Sequence, residues 1–98
     1  MSQVVPLVAV PAQTLSIALG GQVVRVTVTQ KTLGVFVDVY LNDVLVVGGV
    51  QARNLVKIIR EHYRGFIGDL YFFDTQGTSD PEYTQLGARY VLLYDPAL

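Results

Sequence analysis

The sequence predicts a mainly β domain, a small antiparallel sandwich or barrel, with room for one short helix around residues 52–63. Three observations predict it. Apolar residues recur with period two over most of the 98 residues, the spacing that sends alternate side chains to opposite faces of a strand. Two turn-forming pairs, Gly20-Gly21 and Asn42-Asp43, fall between such runs, where a hairpin reverses. Six or seven short strands at close spacing, separated by turn signals, then suit a sandwich or barrel.

The first four runs form one unit. Leu15, Ile17 and Leu19 alternate with Thr14, Ser16 and Ala18; beyond Gly20-Gly21, Val24, Val26 and Val28 alternate with Arg25, Thr27 and Thr29. A primed two-residue turn needs positive φ, which glycine adopts without a Cβ penalty. Val35, Val37, Val39 and Leu41 alternate with Phe36, Asp38 and Tyr40, and Asn42-Asp43 separates them from Val44–Val47. Residues 13–47 therefore read as two hairpins joined by a loop over Gln30–Gly34, a four-stranded meander.

The pattern then changes. Ala52, Leu55, Val56, Ile59 and Tyr63 are apolar, with Arg53, Lys57, Arg60 and Glu61 among them. That spacing fits one face of a helix of about three turns. Gly48-Gly49 in front and Gly65 behind would punctuate it, although valine and isoleucine also suit a strand.

Phe66–Phe73 returns to strand character. Asp74–Glu82 is a polar turn region, with Gly77 and Pro81 as breakers. Gly20, Gly21, Asp74, Gly77, Asp80 and Pro81 are thus the expected turn-setting residues. Arg89–Tyr94 closes the chain as a strand whose two faces, Tyr90, Leu92, Tyr94 and Val91, Leu93, are both apolar. Such a strand must be covered on both sides. A sandwich covers only one, so these five residues are the candidate interface, with one set facing core and the other a partner.

Composition supports association. Hydrophobic residues make up 51% of the chain and charged residues 15%, against typical values of about 45–50% and about 25%. A small domain has little interior in which to place such an excess. The chain reads as one domain over residues 1–98, long enough to bury roughly 60–70% of its unfolded surface. It contains no cysteine, which excludes disulfides, thiolate metal sites and a cysteine nucleophile. A net charge of −1 provides no footprint for nucleic acid or an anionic membrane. Val4–Ala12 lacks a positive flank and contains Pro6 and Pro11, so it does not read as a secretory segment. No stretch reaches the roughly 18 apolar residues of a membrane span.

No residue pattern requires catalysis. His62 is the sole histidine, set among Lys57, Arg60 and Arg64, whose charge disfavours its protonated form. GxSxG, Walker-type and GxGxxG patterns are absent. Asp74, Gln76, Ser79, Asp80 and Glu82 could in principle surround calcium, but the EF-hand spacing is not met, and these residues are ordinary turn formers. Neither a cofactor nor a metal is expected. Arg53, Lys57, Arg60 and Arg64 with Tyr63 and Phe66 would be the elements of an alternative, a small β-barrel module binding a ligand or single-stranded nucleic acid. The aromatics of residues 63–94 instead accompany Asp69, Asp74, Asp80 and Glu82, which favours packing.

Three stretches, Pro11–Gln22, Tyr63–Gly77 and Asp80–Tyr90 with the Leu92-Leu93-Tyr94 ending, resemble in order and spacing the small baseplate plug proteins of contractile-tailed bacteriophages. The resemblance spans about Pro6 to Tyr94, and its motifs are turn glycines and strand aromatics. It implies a non-enzymatic virion component near the central hub and tube of the tail baseplate. Hub, tube and wedge proteins and further copies of the chain would be its partners, and it would be made in the host cytoplasm. Members carry a more extended or proline-containing stretch where this chain has Ala52–Glu61, which weighs against the helix.

Overall fold

The computed structural model describes residues 3–59 and 68–97. As the period-two pattern predicts, the fold is mainly β. The described strands are β1 (Gln3–Val5), β2 (Ala12–Leu19), β3 (Gln22–Lys31), β4 (Gly34–Leu41), β5 (Val44–Gln51), β6 (Asp69–Asp74) and β7 (Tyr90–Asp95), with a 3-10 turn at Tyr83–Gln85. They form two antiparallel sheets, ordered β2-β3-β4-β5 and β1-β7-β6, in a sandwich-like arrangement.

The four-stranded meander follows from its turns. Gly20 and Gly21 have φ of 59° and 78°, and Asn42 and Asp43 have φ of 50° and 65°. Both pairs close two-residue hairpins in the left-handed region that Gly, Asn and Asp tolerate best. The expected loop over Gln30–Gly34 is shorter than the sequence suggests. Gln30 pairs with Val35 and Lys31 with Gly34, so only Thr32-Leu33 turns and the meander has three hairpins. β5 runs past Val47 to Gln51 with register shifts opposite Val37–Tyr40. Gly48-Gly49 lies within it and does not open a helix. Gly49 takes φ of 65°, and its N–H donates to Asp38 Oδ1 at 2.6 Å.

The helix around 52–63 does not form over residues 52–59; its remainder lies outside the described residues. Ala52 N–H donates to the Val35 carbonyl, Leu55 N–H to Phe72 and Ile58 N–H to Leu70, at 2.7–2.9 Å. Asn54 forms a parallel bridge with Phe72, and Leu55 has φ of 59°. The backbone donors therefore serve neighbouring strands, not a carbonyl four residues back. Ala52, Ile58 and Ile59 are buried, and their burial alongside β6 accounts for apolar spacing that resembles a helix face.

The core lies between the sheets. Val24, Val26, Val28, Val35, Val37 and Val39 face Leu70, Phe72, Leu92 and Tyr94 within one buried cluster. Full burial of each aliphatic side chain is worth about 1.5–3 kcal/mol. Short β1, which sequence patterning did not predict, pairs with residues 92–94 of β7.

Candidate functional site

The five candidate interface residues divide by parity. Tyr90, Leu92 and Tyr94 are buried in the core cluster and make the core side of β7. Val91 and Leu93 are half-buried on the outer side. Register sets Leu93 between Val4 and Tyr71, and Val91 beside Phe73. Val4 is 56% exposed and Phe73 39%. The outer face of β1-β7-β6 thus carries Val4, Tyr71, Phe73, Val91 and Leu93 as an apolar row, which ends at the paired carboxylates Asp69 and Asp95. Leu55 and Val56 are exposed near it, and Lys57 and Asp95 join Leu55 and Tyr71 around a shallow depression at its margin. Leucine and valine rows broken by no charge are what association surfaces present.

The outer face of the other sheet is different. Thr14 Oγ1 and Thr27 Oγ1 lie 3.0 Å apart, and Asp38 follows in the same row. Arg25 donates to Asp43 at 3.0 Å and stands 4.3 Å from the Tyr40 ring centroid, and Lys31 lies 5.3 Å from that of Phe36. Val23 and Leu45 are its exposed apolar members. One outer face is therefore largely polar and the other apolar.

Asp74 ends β6 on the core-facing parity of Leu70 and Phe72. It is buried at 2% exposure. Arg89 Nε and Nη2 donate to its two carboxylate oxygens, each at 2.8 Å, a bidentate pair of the strong kind. The N–H groups of Gln76 and Ser79 add bonds of 2.9 and 2.8 Å. The hydrogen-bonded Arg89 guanidinium holds the Asp74 carboxyl well below the ordinary carboxylate range, with the two N–H groups assisting and burial opposing. Thr75 N–H and Oγ1 both donate to the Arg89 carbonyl. Asp80 Oδ1 accepts from Asn54 N–H at 3.0 Å, and Asn54 Oδ1 accepts from Asp74 N–H at 2.9 Å. These bonds fasten the 74–80 loop to residue 54. Gly77 stacks close to the pair, where an added Cβ would sit 3.5 Å from Arg89 and Asp74; Pro81 lines an open cleft of about 500 Å³ with Gln30, Leu33 and Tyr83.

Of the acidic residues that could have surrounded calcium, Asp80 accepts from Asn54 and an arginine already occupies the Asp74 oxygens. No group of three or more His, Asp or Glu among the described residues could hold a metal. Of the basic cluster, Arg53 donates to Gln51 at 3.2 Å; Arg60, His62, Tyr63, Arg64 and Phe66 lie outside the described residues. No described helix is long and apolar enough to cross a membrane. The outer-face row of Val4, Tyr71 and Phe73 escaped sequence reasoning because it depends on cross-strand register. The Arg89–Asp74 pair spans 15 positions, and nothing local in sequence marks it.

These features define a class, the small two-sheet β domain with one polar and one apolar outer face. Within it, the chain belongs to the family described as cyanophage baseplate Pam3 plug gp18, whose model matches residues 2–97. The resemblance carried by Pro11–Gln22, Tyr63–Gly77 and Asp80–Tyr90 is borne out. No curated protein matches the chain.

Proposed function

We propose that the chain is a structural plug of a contractile-tail phage baseplate, packed near the central hub and tube. It is made in the host cytoplasm and works in the virion without catalysis. Its partners are hub, tube or wedge proteins, with further copies of itself in the particle. The observation that carries this reading is the apolar row of Val4, Tyr71, Phe73, Val91 and Leu93 on the outer face. In a particle such a face is removed from water, and burial of apolar area contributes about 25 cal/mol per Å². The polar face opposite suits solvent or a wetter contact. No observation favours the ligand- or nucleic-acid-binding alternative.

Imaging reconstruction of the baseplate from purified virions tests the reading. The expected map places the chain on the tail axis with the β1-β7-β6 outer face against a neighbour. A chain absent from purified virions, or present with that face in solvent, overturns it.

A further inference from the structure

Each sheet edge is a row of backbone groups that can pair with another chain unless something guards it. Among the described residues, three of the four edges are guarded. β1 is three residues long. β6 is covered by Asn54–Ile58, whose Leu55 and Ile58 N–H groups donate to it. β5 is irregular in register and holds Gly48-Gly49, a device that twists an edge out of pairing.

β2 is neither short nor irregular, and among the described residues the N-terminal segment meets it through side chains alone, Gln3 at the Ala18 carbonyl and Gln13 at the Val8 N–H and carbonyl. Its eight residues, Ala12–Leu19, include no charge and no proline, and its ladder to β3 runs without a shift from Ala12 to Leu19. Because the two-residue hairpin makes Leu19–Gln22 a hydrogen-bonded pair, odd-numbered residues of β2 bond β3 and even-numbered ones point their N–H and C=O groups outward. Among the described residues, the one bond to the Thr14–Ala18 edge is from Gln3 Nε2 to the Ala18 carbonyl at 3.4 Å, exposed to solvent and long for a hydrogen bond. The core is also unfinished at this edge. Leu15 and Ile17 are half-buried, whereas Val26 and Val24 opposite them are fully buried. A strand that completed the sheet would present apolar residues two apart beside Leu15 and Ile17.

We propose that this edge pairs antiparallel with β2 of a second copy of the chain about a two-fold axis at Ser16. This deepens the self-association included in the proposed function by naming its surface. In this register Leu15 meets Ile17 of the second copy on the core side, and Thr14 meets Ala18 of the second copy on the outer side. Ser16 lies opposite its own equivalent. The strand thus supplies the apolar alternation its own edge lacks, and its neutrality brings no like charges together. The two four-stranded sheets become one continuous sheet, an isologous contact of the commonest symmetry.

Sedimentation equilibrium of the purified chain over a micromolar concentration series tests this, with circular dichroism and melting curves to verify folding. Wild-type protein is expected to be a reversible dimer. Ser16→Pro removes an outward N–H that the fold does not use and is expected to be monomeric over the same range. Should Ser16→Pro fail to fold, Ser16→Lys decides, since two like charges opposite each other weaken the dimer by about fivefold. Leu33→Lys, in the exposed β3–β4 turn away from this edge, is expected to leave the dimer intact. A monomeric wild-type chain, or a dimer unchanged by Ser16→Pro or by Ser16→Lys, overturns the pairing. Neither result bears on where the reconstruction places the chain in the virion.

Discussion

The hydroxyl of Tyr94, at the end of β7, lies against Gly20 in the β2–β3 turn, so that a Cβ on Gly20 would overlap it. This contact joins the last strand of one sheet to the first hairpin of the other, and Gln22 Nε2 reaches the same hydroxyl at 3.4 Å. Gly21, its neighbour, also has positive φ but open space around it. Gly20→Ala and Gly21→Ala therefore share a backbone cost of about 1 kcal/mol, and Gly20→Ala adds displacement of Tyr94. Thermal melts should show the larger loss for Gly20→Ala, with Gly21→Ala lowering the midpoint by about 4–8 °C. Equal losses would mean that the contact with Tyr94 carries no weight.

The Arg89–Asp74 pair sets the response to acid. Asp74 is held below its unfolded value of 3.8, so its contribution is fully present above about pH 4 and is lost as pH falls further. Arg89→Lys keeps the charge but loses the two-pronged geometry, and Arg89→Ala leaves a buried carboxylate without its cation. Denaturant melts from pH 7 to pH 2 should show wild-type stability level down to about pH 4 and falling below it. Arg89→Ala should be the less stable of the two variants at neutral pH and should lose less on acidification than the wild type. At the alkaline end, burial pushes the Tyr94 hydroxyl above 10.0. Its contribution is present below about pH 10 and is lost as pH rises beyond that value.

The same pair bears on calcium. With Arg89 on both Asp74 oxygens and Asn54 on Asp80, a cation entering the loop would have to displace a guanidinium. Millimolar calcium should leave the melting midpoint unchanged, as should a chelator. A rise of several degrees, reversed by chelation, would contradict this, because a ligand of the folded state raises stability by mass action.

Local chemistry in the sequence was enough to predict the meander. Gly20-Gly21 and Asn42-Asp43 demand positive φ, and the valines of β3 and β4 alternate between them, so neighbouring residues carried the information. The segment 52–59 resembles a helix in sequence for the opposite reason. Its donors are satisfied by Val35, Leu70 and Phe72, partners remote in sequence, while the spacing of Ala52, Leu55, Val56 and Ile59 also fits a helical face. The candidate site was half legible. That β7 is apolar on both faces is visible in Tyr90–Tyr94 alone. Which face is outward, and that Val4, Tyr71 and Phe73 extend it, depends on pairing between strands 15 or more positions apart.

The claim that the outer face of β1-β7-β6 is covered in the particle is tested most directly by charge placed on one side of β7 and then on the other. Leu92 is fully buried and Leu93 faces outward. Leu92→Glu should unfold the chain, since a lone buried carboxylate is too costly to retain. Leu93→Glu should fold with a wild-type spectrum. The decisive measurement is the amount of Leu93→Glu chain per baseplate in purified virions, quantified by mass spectrometry against another tail protein. The folded variant is expected to be missing or strongly depleted. Incorporation at the wild-type level would contradict it.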